Sequence, residues 1–331
     1  MTLRLVGVEE HFVTHEVLDV GRSLAPDDRD LAFGPASEGD TSSRLLDVSR
    51  DRLAAMAATG LDTQVLSLTT PGLQNLRDAD AVSLQRSTND VLADTVRADP
   101  EHFQGLAALA TTAPDAAAAE LDRAVRTLHL DGAMLYGRTG DQHLDHRDLW
   151  PVFEAAEALR VPLYLHPQCP PFEVRDAYYG GFDDVVSAAF ATHGIGWHYE
   201  AGIEFVRLVL SGALDRFPDL QLIIGHWGEL VLFYLERIEH LARLASLPRT
   251  LSEYVRSNLY ITPSGILSDR YLRWATEIVG AERLLFATDY PFEAASQRGA
   301  RPFLDNTTIS DTNRELLAHG NWDRLRSSIR R

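Results

Sequence analysis

Hydrophobic residues follow two rhythms along this chain. Short apolar runs recur at 3–8, 63–68, 103–109, 132–136, 162–166, 220–225, 259–262 and 284–288, and such runs predict buried strands. Between them apolar residues return every third or fourth position, which is the spacing of an amphipathic helix. These stretches cover 51–58, 79–97, 114–128, 149–159, 202–217, 230–244, 270–279 and 312–327. Pro100, Pro162, Pro218 and Pro248 stand where helices have to stop, because proline lacks an amide hydrogen and crowds the preceding turn.

Strand followed by helix, repeated around eight times, predicts an α/β fold closed into a (β/α)8 or TIM barrel; the alternative is an open doubly wound sheet. No low-complexity linker or break in composition divides the sequence, so one domain over 1–331 is expected. Irregular insertions fall at 12–48, 136–148 and 167–198, each after a predicted strand. A barrel gathers such loops at its C-terminal mouth, whereas an open sheet scatters them. The barrel is the better reading.

Composition narrows the chemistry. Basic side chains number 31 against 48 acidic ones, a net charge of −17, and none of the basic ones is a lysine. A Schiff-base lysine, a pyridoxal-phosphate anchor, a P-loop lysine and a carbamylated lysine bridging two metals are therefore all excluded. An acidic chain without lysine also makes a poor partner for nucleic acid. Cys169 is the sole cysteine, which rules out an intrachain disulfide and suits a reducing interior. The opening MTLRLVGVEEHF lacks the pattern of a signal peptide, and no apolar stretch approaches the ~20 residues of a membrane span. A cytoplasmic protein without a membrane partner is expected.

The candidate chemistry is positional. Glu9 and His11 follow the first predicted strand, His166 the fifth, His226 the sixth and Asp289 the eighth. Strand residues two apart share a face, so Glu9 and His11 can both point into a barrel while Glu10 points away. Imidazoles and carboxylates converging from different strands suit one divalent metal with a coordination position left open.

The segments VEEHF (8–12), PLYLHP (162–167), IIGHWGE (223–229) and FATDYPFE (286–293) resemble the metal-dependent aromatic acid decarboxylases of the amidohydrolase superfamily (amidohydrolase family 2), of the γ-resorcylate and 5-carboxyvanillate type. SLTTPGLQ (67–74), YITPSG (260–265) and AHGN (318–321) extend the resemblance over nearly the whole chain. Many relatives open with His-x-His; Glu9-x-His11 is the form of the decarboxylase branch. The resemblance implies that Glu9, His11, His166 and Asp289 hold one zinc or manganese ion and that His226 faces the substrate. It also implies self-association as a homodimer or homotetramer. The absence of lysine agrees, since this branch needs no carbamylated bridge. After the fourth strand the chain departs from the family with LYGRT (135–139), and its mouth insertions are its own.

Substrate-facing residues are expected from their places in the chain. Arg138, just beyond the fourth strand, can take a carboxylate in a bidentate pair. Arg237 lies eleven residues past His226 and matches a basic residue of the family pattern. Tyr178, His198, Trp227 and Phe292, with Tyr179 and Trp197, are placed to clamp a flat ring. Two reactions compete for such a site. One is non-oxidative decarboxylation of an aromatic or enol-type carboxylic acid, with Asp289 protonating the ring carbon and His226 holding a substrate oxygen. The other is hydrolysis of an amide, lactone or ester by a metal-activated water. Glu9-x-His11 favours the first.

Overall fold

A computed structural model describes residues 3–25, 29–293 and 299–331; positions 26–28 of the first insertion fall outside them. The described residues form ten strands: β1 (Val6–Phe12), β2 (Thr63–Leu68), β3 (Phe103–Gly105), β4 (Ala107–Ala108), β5 (Ala133–Tyr136), β6 (Arg138–Thr139), β7 (Gln142–His143), β8 (Leu163–His166), β9 (Leu222–Ile224) and β10 (Leu259–Ile261). Except for the β6–β7 hairpin, all pairings are parallel, in two arcs ordered β1-β2-β3 and β10-β9-β8-β5-β4. The arcs are one wall. Leu106, between β3 and β4, donates its N–H to the Leu66 carbonyl at 2.8 Å, and Ala107 donates to Gly132 at 2.8 Å.

The ring is closed by residues 284–290. Leu285 donates to the Ile261 carbonyl on one side at 2.9 Å. On the other, Val8 donates to Phe286 at 2.9 Å, Asp289 to Glu9 at 3.1 Å and His11 to Tyr290 at 2.8 Å. The expected eighth strand is therefore a bridging segment with bonds to both neighbours, ending where Asp289 turns left-handed at φ 57°. The barrel expected from periodicity is the fold observed.

Inside the barrel, Val6, Val8, Val65, Leu106, Met134, Tyr136, Tyr164, Ile223, Leu285 and Ala287 form one apolar layer. Trp322 from the C-terminal helix Asn321–Ser328 seals its lower end, its indole N–H donating to Gln104 Oε1 at 2.7 Å. A second, larger core lies between the outward faces of the strands and the surrounding helices. The three insertions supply short helices, among them His15–Ser23, Gly39–Leu46, Phe172–Tyr179 and Asp184–Ala189, together with the β6–β7 hairpin.

The main departure concerns β1, which runs over Val6–Phe12 rather than 3–8. Glu9 and His11 therefore stand within the strand. A register shift between Gly7 and Glu10 places an extra residue opposite β2, and such a bulge reverses the alternation of faces. Val6 and Val8 face the interior, and past the bulge Glu9 and His11 do so as well. The predicted helices at 202–217 and 312–327 are also divided, the first by a turn at Gly212 with φ 76°, the second by a π-helical turn at Leu316–Gly320.

Candidate active site

Strand alternation delivers four groups. On β8, Leu163 and Leu165 pack outward while Tyr164 and His166 point in. On the closing segment, Leu285 and Ala287 point in and Asp289 continues their phase. With Glu9 and His11 from β1, these residues bring ligand atoms within 4.8 Å of one another. His11 Nε2 lies 3.2 Å from Asp289 Oδ1 and 3.9 Å from Glu9 Oε1, and His166 Nε2 lies 3.4 Å from Glu9 Oε1.

These atoms lack the partners that buried polar atoms require. Glu9 Oε1, His11 Nε2 and Asp289 Oδ1 are buried and make no hydrogen bond, an arrangement that costs several kcal/mol in total at about 1–3 kcal/mol per group. The opposite edges of the same groups are fully engaged. His166 Nδ1 donates to the Pro167 carbonyl at 2.8 Å, which leaves its Nε2 lone pair facing the cluster. His11 Nδ1 meets Ser67 Oγ at 3.3 Å. Glu9 Oε2 accepts from the hydroxyls of Tyr164 and Ser264. Outer contacts that orient inward-facing donors are the habit of metal sites. Two imidazoles and two carboxylates can hold one divalent cation there.

Electrostatics point the same way. Burial pushes the Glu9 carboxyl above the carboxylate range, and the charge of Asp289 adds to that. Burial together with nearby His11 drives His166 down to about 3, which leaves its imidazole neutral at physiological pH. Gly225 keeps this arrangement open. A Cβ there would collide with Ser264 Oγ and stand 3.2 Å from Glu9 Oε2.

His226 enters on an unusual turn. His226, Trp227, Gly228, Glu229 and Leu230 all carry left-handed φ, at 45°, 58°, 95°, 47° and 66°, which costs roughly 1–2 kcal/mol for each non-glycine residue. The turn is pinned by Trp227 N–H to the Thr262 carbonyl at 2.9 Å and by the buried Trp227 indole, which donates to Ile266 at 2.7 Å. It brings Glu229 back beneath His226. Glu229 Oε1 accepts from His226 Nδ1 at 2.5 Å, and Oε2 accepts from His198 Nδ1 at 2.8 Å. Burial alone would lower the His226 pKa, but the Glu229 carboxylate raises it well above the imidazole range. Glu229 itself sits at about 2, because the two imidazoles outweigh its burial. His226 Nε2 then lies 3.8 Å from Asp289 Oδ2. Asp289 is held below the usual carboxylate range, its burial outweighed by His11 and His226.

Above this floor opens a cleft of about 270 Å³. His166, His226, Ser264 and Asp289 form its base, Leu31, Pro35, Ile266 and Phe292 its apolar sides, and Thr192, His193, Trp197 and His198 one wall. Of the expected substrate-facing residues, His226, His198, Trp197 and Phe292 line it. Five lie elsewhere, Tyr179 among them at the end of the mouth helix Phe172–Tyr179. Trp227 is a buried anchor of its turn, and Tyr178 is 73% exposed on a mouth helix. Arg138 is buried, its guanidinium donating to the carbonyls of Gly140 and Cys169 at 2.8 Å each and lying 3.5 Å from Glu200. Arg237 is exposed on the helix Val231–Ile238. No arginine lines the cleft among the described residues.

Sequence reasoning missed Glu229 and Tyr164. Glu229 carried a signal, standing three residues after His226 inside IIGHWGE; Tyr164 stands two before His166 and so shares its face.

The pattern of the Amidohydrolase family matches residues 45–325. Over 97% of both chains, the sequence is 34% identical to a γ-resorcylate decarboxylase of Polaromonas sp. strain JS666. The chain belongs to the amidohydrolase family. The solved 5-carboxyvanillate decarboxylase of Sphingomonas paucimobilis superposes with a TM-score of 0.89 at 32% identity, covering 99% of this chain and 100% of that one. A dihydroxybenzoic acid decarboxylase from Polaromonas sp. JS666, solved with manganese and 2-nitroresorcinol, gives a TM-score of 0.85 at 32% identity, covering 99% and 97%. Within the family, the chain is a metal-dependent non-oxidative decarboxylase, and its buried His/Glu/Asp cluster suits one divalent ion. No helix among the described residues is long and apolar enough to cross a membrane.

Proposed function

We propose that the substrate is an aromatic carboxylic acid carrying a hydroxyl beside the carboxylate, and that Glu9, His11, His166 and Asp289 hold the metal. The bound metal supplies a fixed positive charge for the carboxylate and the adjacent oxygen of the substrate. The ring lies between Phe292 and Trp197. His226, kept protonated by Glu229, stores the proton at Nε2, and Asp289 Oδ2, 3.8 Å away, carries it to the ring carbon bearing the carboxylate. That carbon becomes tetrahedral; the carbon–carbon electron pair then returns to the ring, and carbon dioxide leaves. The observation that carries this reading is the proton-poised His226 beside Asp289, at the base of a cleft with aromatic sides. The curated relative and both solved relatives described above are decarboxylases, which favours this over hydrolysis.

The test is direct. Manganese-loaded protein incubated with a panel of hydroxybenzoates is expected to release carbon dioxide from ortho-hydroxy members. Turnover confined to esters, lactones or amides would establish the hydrolase instead.

The protein is read as cytoplasmic and self-associating, as a homodimer or homotetramer. The exposed apolar side chains Tyr199, Ile203, Phe233 and Tyr234 lie together on two neighbouring helices and support self-association. Light scattering coupled to gel filtration tests it; a monomer at micromolar concentration would refute it.

A further inference from the structure

Behind the candidate ligands lies a second buried polar system that the proposed chemistry does not use. Glu10 and Arg52 are both fully buried, yet among the described residues no ion pair joins them. Gln64 stands between, its Oε1 accepting from Arg52 Nη1 at 3.1 Å and its Nε2 3.4 Å from Glu10 Oε2. Each group instead grips the backbone next to a candidate ligand. Glu10 Oε1 accepts from the Thr288 N–H at 2.8 Å and Oε2 from the Thr288 hydroxyl at 2.6 Å, one residue before Asp289. Arg52 Nη2 donates to the carbonyl of His11 at 2.6 Å, and its Nε donates to Asp47 at 2.7 Å.

The β1 bulge makes this possible. It turns Glu10 away from the cleft and toward the closing segment, and Gly7 leaves room for it, since a Cβ there would collide with Glu10 Oε1. Burying a carboxyl and a guanidinium apart from one another is costly, and apolar packing would fill the space more cheaply. What the arrangement does provide is a fixed spacing between the strand bearing Glu9 and His11 and the segment bearing Asp289. We propose that Glu10, Gln64 and Arg52 are positioning residues that set the distance between the β1 ligands and Asp289, and thereby the affinity for the metal. The proposal rests on the reading of Glu9, His11, His166 and Asp289 as ligands.

The experiment is calorimetric titration of metal-stripped protein with Mn²⁺, together with the melting temperature of the metal-free form. Wild type, Glu10→Gln, Thr288→Val and His166→Ala are compared. Thr288→Val removes the hydroxyl while keeping the amide donor, so it tests the grip even where Glu10→Gln folds poorly. Both grip variants are expected to bind Mn²⁺ about 10–100-fold more weakly, with metal-free melting close to wild type. Wild-type affinity in the folded grip variants, with melting lowered, would make these residues structural and overturn the proposal. Absence of Mn²⁺ binding by wild type, or full binding by His166→Ala, would remove the ligand reading and the proposal with it.

Discussion

The floor of the cleft and its wall are made by different means. Glu9, His11 and His166 stand on hydrogen-bonded strands, and Asp289 on a segment bonded to strands on both sides. Thr192, His193, Trp197 and His198 stand where a π-helical stretch, Phe190–Gly194, breaks before the helix Gly196–Leu210, with Thr192 at φ −107° and ψ −120°. On the floor, each position is over-determined by ladder bonds, by alternation and by outer partners such as Pro167, Ser67 and Tyr164. On the wall, position depends on one kinked turn and its side-chain contacts, for example Trp197 Nε1 to His198 Nε2 at 3.2 Å. The floor is therefore suited to fixed chemistry, and the wall to adjustable contacts.

This contrast can be broken at several points. Asp289→Asn is expected to lower decarboxylation roughly 10³-fold while the protein remains folded, because it removes proton transfer at the reacting carbon. Carbon dioxide release within tenfold of wild type would strip the floor of its chemical role. Glu229→Gln comes next, at about 100-fold in kcat. Its pH profile carries a sign as well. Glu229 raises the His226 pKa, so neutralising it lets that pKa fall, protonated His226 is lost at lower pH, and the alkaline limb of kcat moves toward acid. An unmoved limb would separate His226 from the proton route.

Arg138→Ala sharpens the distinction between a charge near the mouth and one in it. Its donors are committed to backbone carbonyls, so the expected loss is about 2 kcal/mol of folding stability, read by urea unfolding, with KM unchanged. A selective rise in KM would return Arg138 to the substrate. Trp197→Ala, on the wall, is expected to raise KM about tenfold and reorder the substrate panel with little effect on kcat. A fall in kcat alone would place Trp197 with the floor. Tyr178→Ala is expected to change neither KM nor stability beyond about 0.5 kcal/mol, since its ring is largely in solvent.

The same contrast explains what was legible in advance. Period-two alternation and strand ends carried Asp289 and His166 directly, since both follow apolar runs that the ladders enforce. Glu9 and His11 reach the same cluster although β1 extends past its apolar run, because side chains two apart share a face on either side of a bulge. The bulge itself left no mark beyond Gly7. Loop-borne residues had no such period to read. Trp227 sits next to His226 in sequence, yet the left-handed turn sends its indole away from the cleft, and Arg138, one residue after Gly137, turns into the β6–β7 hairpin. Spacing along the chain stops predicting direction wherever the backbone leaves a strand or helix.

The closing segment has a consequence for how the molecule comes together. Its grip on β1 joins residues 278 positions apart, Glu10 and Thr288, so this contact encloses almost the whole chain in a single loop. The entropy of closing it is met only when the intervening barrel is already in place. The cluster of Glu9, His11, His166 and Asp289 spans that seam, and an ion shared across it would act as a clasp between the first and last turns of the barrel. Chelators should therefore act first at the seam, with faster amide exchange at residues 8–11 and 285–290 than at β5 and β8, before any loss of the fold is visible.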